Sequence, residues 1–235
     1  MRRWTRLCLL VSTGLACHSL ALAETVAVIG TGNVGSALGQ RLAAAGHTIV
    51  YGSRDPERAS IRTLVALSGP GASAASQRAA ASAARIVVLA VPWEIAETLT
   101  TELGTLDGKI IVDPTNPRLI AEDGLRDYAF PDSLAERIQR LAPRAFVVKA
   151  FSTLGAETML DPGSAGGPVS VPIAGDDTSA KRVVAGLVAD VGLEPIDVGP
   201  LRYAHVIEGL HFLRYNAGQF DAGRINFHFP LDPND

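Results

Sequence analysis

Thr25-Val-Ala-Val-Ile-Gly-Thr-Gly-Asn-Val-Gly35 is the stretch from which the fold can be read. An apolar run of strand length, Thr25–Ile29, enters a Gly-x-Gly-x-x-Gly turn. The turn opens a helical pattern, Val34–Ala45, with Val34, Ala37, Leu38, Leu42 and Ala45 on one face. Gly46 ends that helix, and His47–Tyr51 reads as a second strand. In such a unit the first glycine permits a tight turn, the second lets backbone approach a pyrophosphate, and the third lets the helix pack on the strand. These are Gly30, Gly32 and Gly35. The helix start at Asn33 and Val34 then offers free N–H groups and a positive dipole end to phosphates.

The end of the second strand selects the dinucleotide. An NAD site holds its ribose hydroxyls with Asp or Glu about 20 residues beyond the glycines. Here that place is Gly52-Ser53-Arg54. A carboxylate would repel a 2′-phosphate, whereas Ser53 can donate a hydrogen bond to it. Arg54 can stack on adenine and pair with the charge. Arg58, one helical turn on, supplies a second cation, and Asp55, ahead of Pro56, reads as a helix cap. The pattern points to NADP rather than NAD.

Outward from this unit, strands and helices keep alternating. Arg58–Leu67 reads as helix, Ser68-Gly-Pro-Gly-Ala72 as loop, and an alanine-rich helix runs on to Ala84. Arg85–Val91, Lys109–Val112 and Arg144–Phe151 are further strands, joined by helices Trp93–Leu103 and Ser133–Leu141. Ser133 followed by Glu136 is a capping-box signature. Val169–Ala174, a helix Thr178–Val191 and Glu194–Val198 add one more unit, after a flexible loop at Gly163–Pro168. The class is α/β: a Rossmann, doubly wound parallel sheet with a small C-terminal helical segment. Parallel sheets bind ligands beyond the carboxyl ends of their strands. Those ends are Ala90-Val91-Pro92, Asp113-Pro114-Thr115-Asn116 and Ala150-Phe151-Ser152, and they are expected to line the nicotinamide half, with Ile95 within reach.

The chain has 235 residues and a net charge of −3, with 47% hydrophobic and 19% charged residues. Such a chain buries a sizeable core and has no electrostatic footprint for nucleic acid. Arg2, Arg3 and Arg6 precede an apolar run, Leu7–Leu22, that ends in Ala21-Leu22-Ala23. This reads as a secretory signal peptide cleaved after Ala23, placing the protein in the periplasm; otherwise it is cytoplasmic. A membrane anchor is the alternative, but Ser12, Gly14 and His18 break the run, which spans a bilayer poorly. Arg2-Arg3 also raises the twin-arginine route. Both cysteines, Cys8 and Cys17, fall in this segment. The mature chain then has no disulfide, thiol nucleophile, cysteine metal site or membrane span. The expected organisation is a signal peptide at 1–23, an NADP-binding domain at 24–199, and a helical, dimer-forming segment at 200–235.

With these residues in place, the chain resembles the NADP oxidoreductases that use coenzyme F-420 (F420), an 8-hydroxy-5-deazaflavin. The resemblance rests on Ile29-Gly-Thr-Gly-Asn-Val-Gly-Ser-Ala-Leu38, Tyr51-Gly-Ser-Arg-Asp-Pro56, Ala90-Val-Pro-Trp-Glu94 and Lys149-Ala-Phe-Ser-Thr-Leu-Gly-Ala-Glu-Thr-Met159. Ala174-Gly-Asp-Asp177 and Asp197-Val-Gly-Pro-Leu201 extend it. It implies hydride transfer between NADPH and a deazaflavin, a flavin or a ferric acceptor. It also implies NADP contacts from Thr31, Gly32, Asn33, Val34, Ser53, Arg54, Arg58, Val91, Ile95 and Ala150.

Hydride transfer between stacked rings needs positioning more than acid–base chemistry. No catalytic cluster stands out. On the helical stretch 201–217, Glu208 and His211 are spaced to pair, and with His205 they read as a solvated face. No histidine spacing resembles a zinc motif. Without an acid–base cluster, a module that binds or senses NADP(H) without chemistry is the other reading. Val206, Leu210, Leu213 and Ala217 form an apolar stripe, and Ile225, Phe227 and Phe229 alternate like an added strand. Both suggest a homodimer. The partner is then a small-molecule electron acceptor.

Overall fold

A computed structural model of the chain describes residues 23–220, 223 and 225–230. The signal-peptide reading of 1–23 therefore falls outside the described residues, except for Ala23.

The strands are β1 (Thr25–Ile29), β2 (Thr48–Ser53), β3 (Ala72–Ser76), β4 (Ile86–Leu89), β5 (Ile110–Asp113), β6 (Arg118–Ile120), β7 (Arg126–Tyr128), β8 (Phe146–Lys149), β9 (Ser170–Gly175) and β10 (Glu194–Gly199). The helices are α1 (Asn33–Ala44), α2 (Ala59–Ser68), α3 (Gln77–Ala83), α4 (Trp93–Glu102), α5 (Leu134–Leu141), α6 (Ala156–Leu160), α7 (Thr178–Val191) and α8 (Ala204–Ala217). Eight strands form one sheet in the order β10-β9-β8-β5-β4-β1-β2-β3, while β6 and β7 pair as a separate antiparallel hairpin.

The sheet is buried on both faces because the helices alternate sides. Along β1, Val26 and Val28 enter one core with Leu38 and Leu42 of α1, whereas Ala27 and Ile29 enter the other with Ala80 of α3 and Leu99 of α4. Both sets are apolar, as a doubly covered strand requires. Strand order reverses at β1, between β2 and β4, which opens a crevice at their carboxyl ends.

Three elements differ from the sequence reading. β3 occupies part of the stretch expected to be helical and pairs parallel to β2. The β6–β7 hairpin occupies a stretch to which the sequence reading assigns no element. β9 runs antiparallel to β8, so the last βαβ unit opposes an otherwise parallel sheet. Gly163–Pro168 also holds a short 3-10 turn, Pro162–Ala165. The tail at 225–230 forms no assigned strand, but Phe227 accepts a hydrogen bond from the Ser170 N–H (2.8 Å) at the start of β9.

Candidate functional site: a dinucleotide crevice and an arginine-lined cavity

The glycines of the turn do different work. Gly30 has φ +100°, and a Cβ there would sit 2.2 Å from the Ala90 carbonyl oxygen. A Cβ on Gly35 would lie 2.0 Å from the Gly30 oxygen. Both glycines are demanded by packing. Gly32 is the opposite case, because a Cβ there meets nothing within 4 Å. That space lies at the start of α1, whose cap residue Gly32 offers no side-chain hydrogen bond and whose first turn has no acidic residue. The Asn33 and Val34 N–H groups and the helix dipole are left for an anion. The residues present therefore fit a dinucleotide pyrophosphate.

The turn is shared between two cavities. The first, about 1000 Å³, runs from Gly30, Thr31 and Gly32 to the end of β2. Ser53, Arg54 and Arg58 line it there, with Val91 and Ile95 on its far wall. Arg54 and Arg58 are exposed, whereas Ser53 is buried, with its hydroxyl bonded to the Asp55 backbone. Asp55 does not cap α2. The residue before α2 is Arg58, and no side chain caps it. Asp55 lines the cavity instead. Gly35 and Ala150 line neither cavity; Ala150 is fully buried in the core.

The second cavity, about 900 Å³, starts at Asn33 and Val34. The expected strand ends reach it only in part. Pro114, Asn116, Phe151 and Ser152 line it, but Asp113 and Thr115 are buried beneath it. Phe151 has φ +62°, a left-handed conformation that a bulky residue rarely adopts. The turn around it presents the Ser152 carbonyl to two donors, Asn116 Nδ2 (2.9 Å) and His211 Nδ1 (3.1 Å).

Under this cavity lies an ionic cluster that the sequence reading missed. Lys149 is fully buried, and its Nζ donates to Asp113 Oδ2 (3.0 Å), Glu208 Oε1 (2.9 Å) and the Thr115 carbonyl. Asp113 Oδ1 also accepts from Thr115 N–H (2.9 Å) and its hydroxyl (2.6 Å). Burial first, and then the Asp113 charge, push the Glu208 carboxyl up to about 7 against the pull of Lys149. The signal available in the sequence was a lysine closing the apolar run Phe146-Val-Val and an aspartate closing Ile110-Ile-Val, since charges in buried strands need partners.

Helix α8 corrects the expectation of a solvated face. Glu208 is buried and pairs with Lys149 rather than with His211. His205 is half-buried and stacks on Tyr128, with ring centroids 4.0 Å apart. His211 lines the second cavity. Its Nδ1 faces a carbonyl and so carries the proton, while Nε2 accepts from Arg126 (2.8 Å). Burial, and then the charges of Arg126, Arg118 and Arg214, hold the imidazole down to about 3, so it is neutral. Val206 and Leu213 of the expected stripe face outward, while Ala204, Ile207 and Phe212 are buried in their place. Among the described residues, no three His, Cys, Asp or Glu side chains group as metal ligands, and no helix is long and apolar enough to cross a membrane.

Residues 25–117 match the family model for NADP oxidoreductases, coenzyme F420-dependent. The F420-dependent NADP reductase of Methanothermobacter marburgensis is 31% identical over 206 residues, covering 81% of this chain and 91% of that protein. The rat metalloreductase STEAP3 is 32% identical over 188 residues, covering 80% of this chain but only 36% of the relative. The chain thus spans about a third of the length of the metalloreductases it matches. A crystal structure from an Arthrobacter species, provisionally assigned as an F420-dependent NADP reductase, superposes with a TM-score of 0.79 at 33% identity, covering 89% of this chain and all of that one. With the glycine turn, the cationic end of β2 and a relative matched along nearly its whole length, the chain belongs to the coenzyme F420-dependent NADP oxidoreductase family.

Proposed function

We propose that the chain transfers hydride between NADP(H) and a small redox-active ring, a deazaflavin such as F420 or a flavin, with ferric complexes as a further acceptor class. The observation that carries this reading is the pair of cavities meeting at the start of α1. One suits the adenosine half of the cofactor, and the other is large enough for a second ring system. NADPH, when bound, would supply two electrons and one proton as hydride; a solvent proton would complete reduction of a ring acceptor, and where that ring is a flavin two ferric ions could take the same electrons one at a time through it.

The protein's part is binding and orientation. Gly30 and Gly35 set the turn, Gly32 leaves room for the pyrophosphate, and the Thr31, Asn33 and Val34 backbone faces it. Arg54 and Arg58 hold the 2′-phosphate, with Ser53 shaping the turn beneath them. Val91 and Ile95 flank the cofactor, and Ala150 supports the nicotinamide end. Both nitrogens of His211 are engaged by Ser152 and Arg126, so this histidine positions Arg126 and moves no proton.

We also infer export by the signal at 1–23, and a homodimer through the outward residues Val206 and Leu213 of α8. N-terminal sequencing and light scattering check these two points. The test of function is NADPH oxidation by the purified chain with a deazaflavin, FMN and ferric citrate supplied in turn. Turnover with at least one is expected. NADPH binding without turnover on any would favour a non-catalytic NADP(H)-binding module. Arg54→Ala should weaken NADPH by about 1.5–3 kcal/mol, as for a lost charge-assisted hydrogen bond, and leave NADH unchanged. Equal losses for both cofactors would refute the 2′-phosphate assignment.

A further inference from the structure

We propose that the second cavity selects acceptors by charge: Arg118, Arg126 and Arg214 form a subsite for a phosphate or carboxylate carried by the acceptor. The proposal rests on the hydride-transfer reading above and names the chemistry of the substrate that reading leaves open.

The three guanidinium groups come from separate elements, β6, β7 and α8, and converge on one cavity. Among the described residues Glu157 is its single acidic lining residue, 3.8 Å from Arg214. In a chain of net charge −3, the described lining of this concavity carries three arginines against one glutamate. Arg126 is held in place, with its guanidinium carbon 2.9 Å from the Tyr215 ring centroid and its NH1 on His211. Arg118 is half-buried, and among the described residues its side chain has no hydrogen bond or ion pair. Like charges this close depress one another: burial, and then Arg118, lower the Arg126 pKa. Packing therefore gathers cations that repel, and an anion with paired oxygens is the ligand that relieves them.

A second observation is independent of charge. Ser152 is 2% exposed, lines the same cavity, and its hydroxyl has no partner among the described residues. A buried hydroxyl is normally satisfied, and a ligand acceptor seated against this wall is the partner the cavity can supply. The dinucleotide does not account for the cluster, because its own 2′-phosphate and pyrophosphate have cationic and helix-terminal sites at Arg54, Arg58 and the start of α1.

The experiment loads the protein with saturating NADP⁺ and titrates it with FMN or riboflavin, following flavin fluorescence. The two share a ring and differ by one phosphate. FMN should bind at least ten-fold tighter, and added salt should erode that advantage. Arg118→Gln should remove most of the difference while leaving riboflavin binding unchanged, and Arg118→Lys should restore part of it. Melting temperatures of the variants confirm folding. Inorganic phosphate as competitor separates the sources: weak displacement of FMN, with riboflavin unaffected, supports a subsite for a phosphate on the acceptor. Tight binding of free phosphate without an FMN preference overturns the acceptor assignment. Equal affinity for the two flavins, binding of neither, or an Arg118→Gln loss confined to NADP⁺ overturns it as well. Because the readout is equilibrium binding, selective FMN binding without turnover would sink the hydride-transfer reading alone.

Discussion

Replacing Lys149 by methionine keeps the length of the side chain and removes its charge. Three oxygens lose their donor, on Asp113, Glu208 and Thr115, and both carboxylates stay in a site where Lys149 and Asp113 are fully buried and Glu208 is 1% exposed. Removing one partner of a buried ion pair costs about 3–5 kcal/mol, since the remaining charge is left uncompensated. A domain of this size loses about 2–4 °C of Tm per kcal/mol, so Lys149→Met should melt roughly 6–20 °C lower. The deficit should depend on pH. Without the lysine the buried Glu208 carboxyl favours protonation in the folded state still more, so the variant should recover stability at pH 5 relative to pH 8. Urea unfolding at the two pH values measures both effects. A loss below about 1 kcal/mol, or one independent of pH, would refute the claim that this cluster ties α8 to the sheet.

Glu208, held at about 7 when folded against an ordinary 4.5, binds more protons in the native state across that window, so its contribution to stability falls as pH rises from 4.5 to 7. Glu208→Gln should flatten that slope in a pH series of melts. His211, held at about 3 against 6.5, acts with the opposite sign: stability is lost as pH falls from 6.5 toward 3, and His211→Gln should flatten the acid limb. At the turn, Gly35→Ala pushes a Cβ to 2.0 Å from the Gly30 oxygen and should cost stability, about 1–3 kcal/mol as for overpacking. Gly32→Ala meets nothing within 4 Å, so it should melt like the parent yet bind NADPH at least ten-fold more weakly by fluorescence titration.

The cofactor half was legible because it is built from neighbours in sequence. β1, the turn, α1 and β2 follow one another within Thr25–Ser53, and each step carries its own local signal in glycine placement or apolar period. β3 had no such signal. Its sequence, Ala72-Ser-Ala-Ala-Ser76, has little strand preference, and only pairing with β2 makes it a strand. The hairpin strands are three residues each and largely polar. The direction of β9 was equally hidden, since a buried strand has the same apolar composition whichever way it runs. Helix α8 misled for a different reason. Hydropathy sorts residues one at a time and puts a glutamate outside, but Glu208 is buried because a lysine 59 residues away meets it.

The second cavity, the proposed acceptor half, resists the same reading because no short stretch of sequence contains it. Arg118 and Arg126 sit on a hairpin outside the main sheet, Ser152 follows β8, and His211 and Arg214 ride on α8. What registers these pieces is the Lys149 cluster, which binds α8 to the ends of β5 and β8, together with the Asn216 side chain, whose oxygen accepts from the Arg126 N–H (2.9 Å) and whose amide donates to the Arg126 carbonyl (3.0 Å). The hairpin is thus clamped to the same helix that the lysine clamps to the sheet. A shift of α8 would carry His211, Arg214 and the backbone of Arg126 with it, while the glycine turn and Arg54, held by β1, α1 and β2, would stay where they are. The geometries of the two cavities, proposed for acceptor and cofactor, are therefore separable in this fold. Weakening the clamp should be felt in discrimination between acceptors before it is felt in affinity for NADPH.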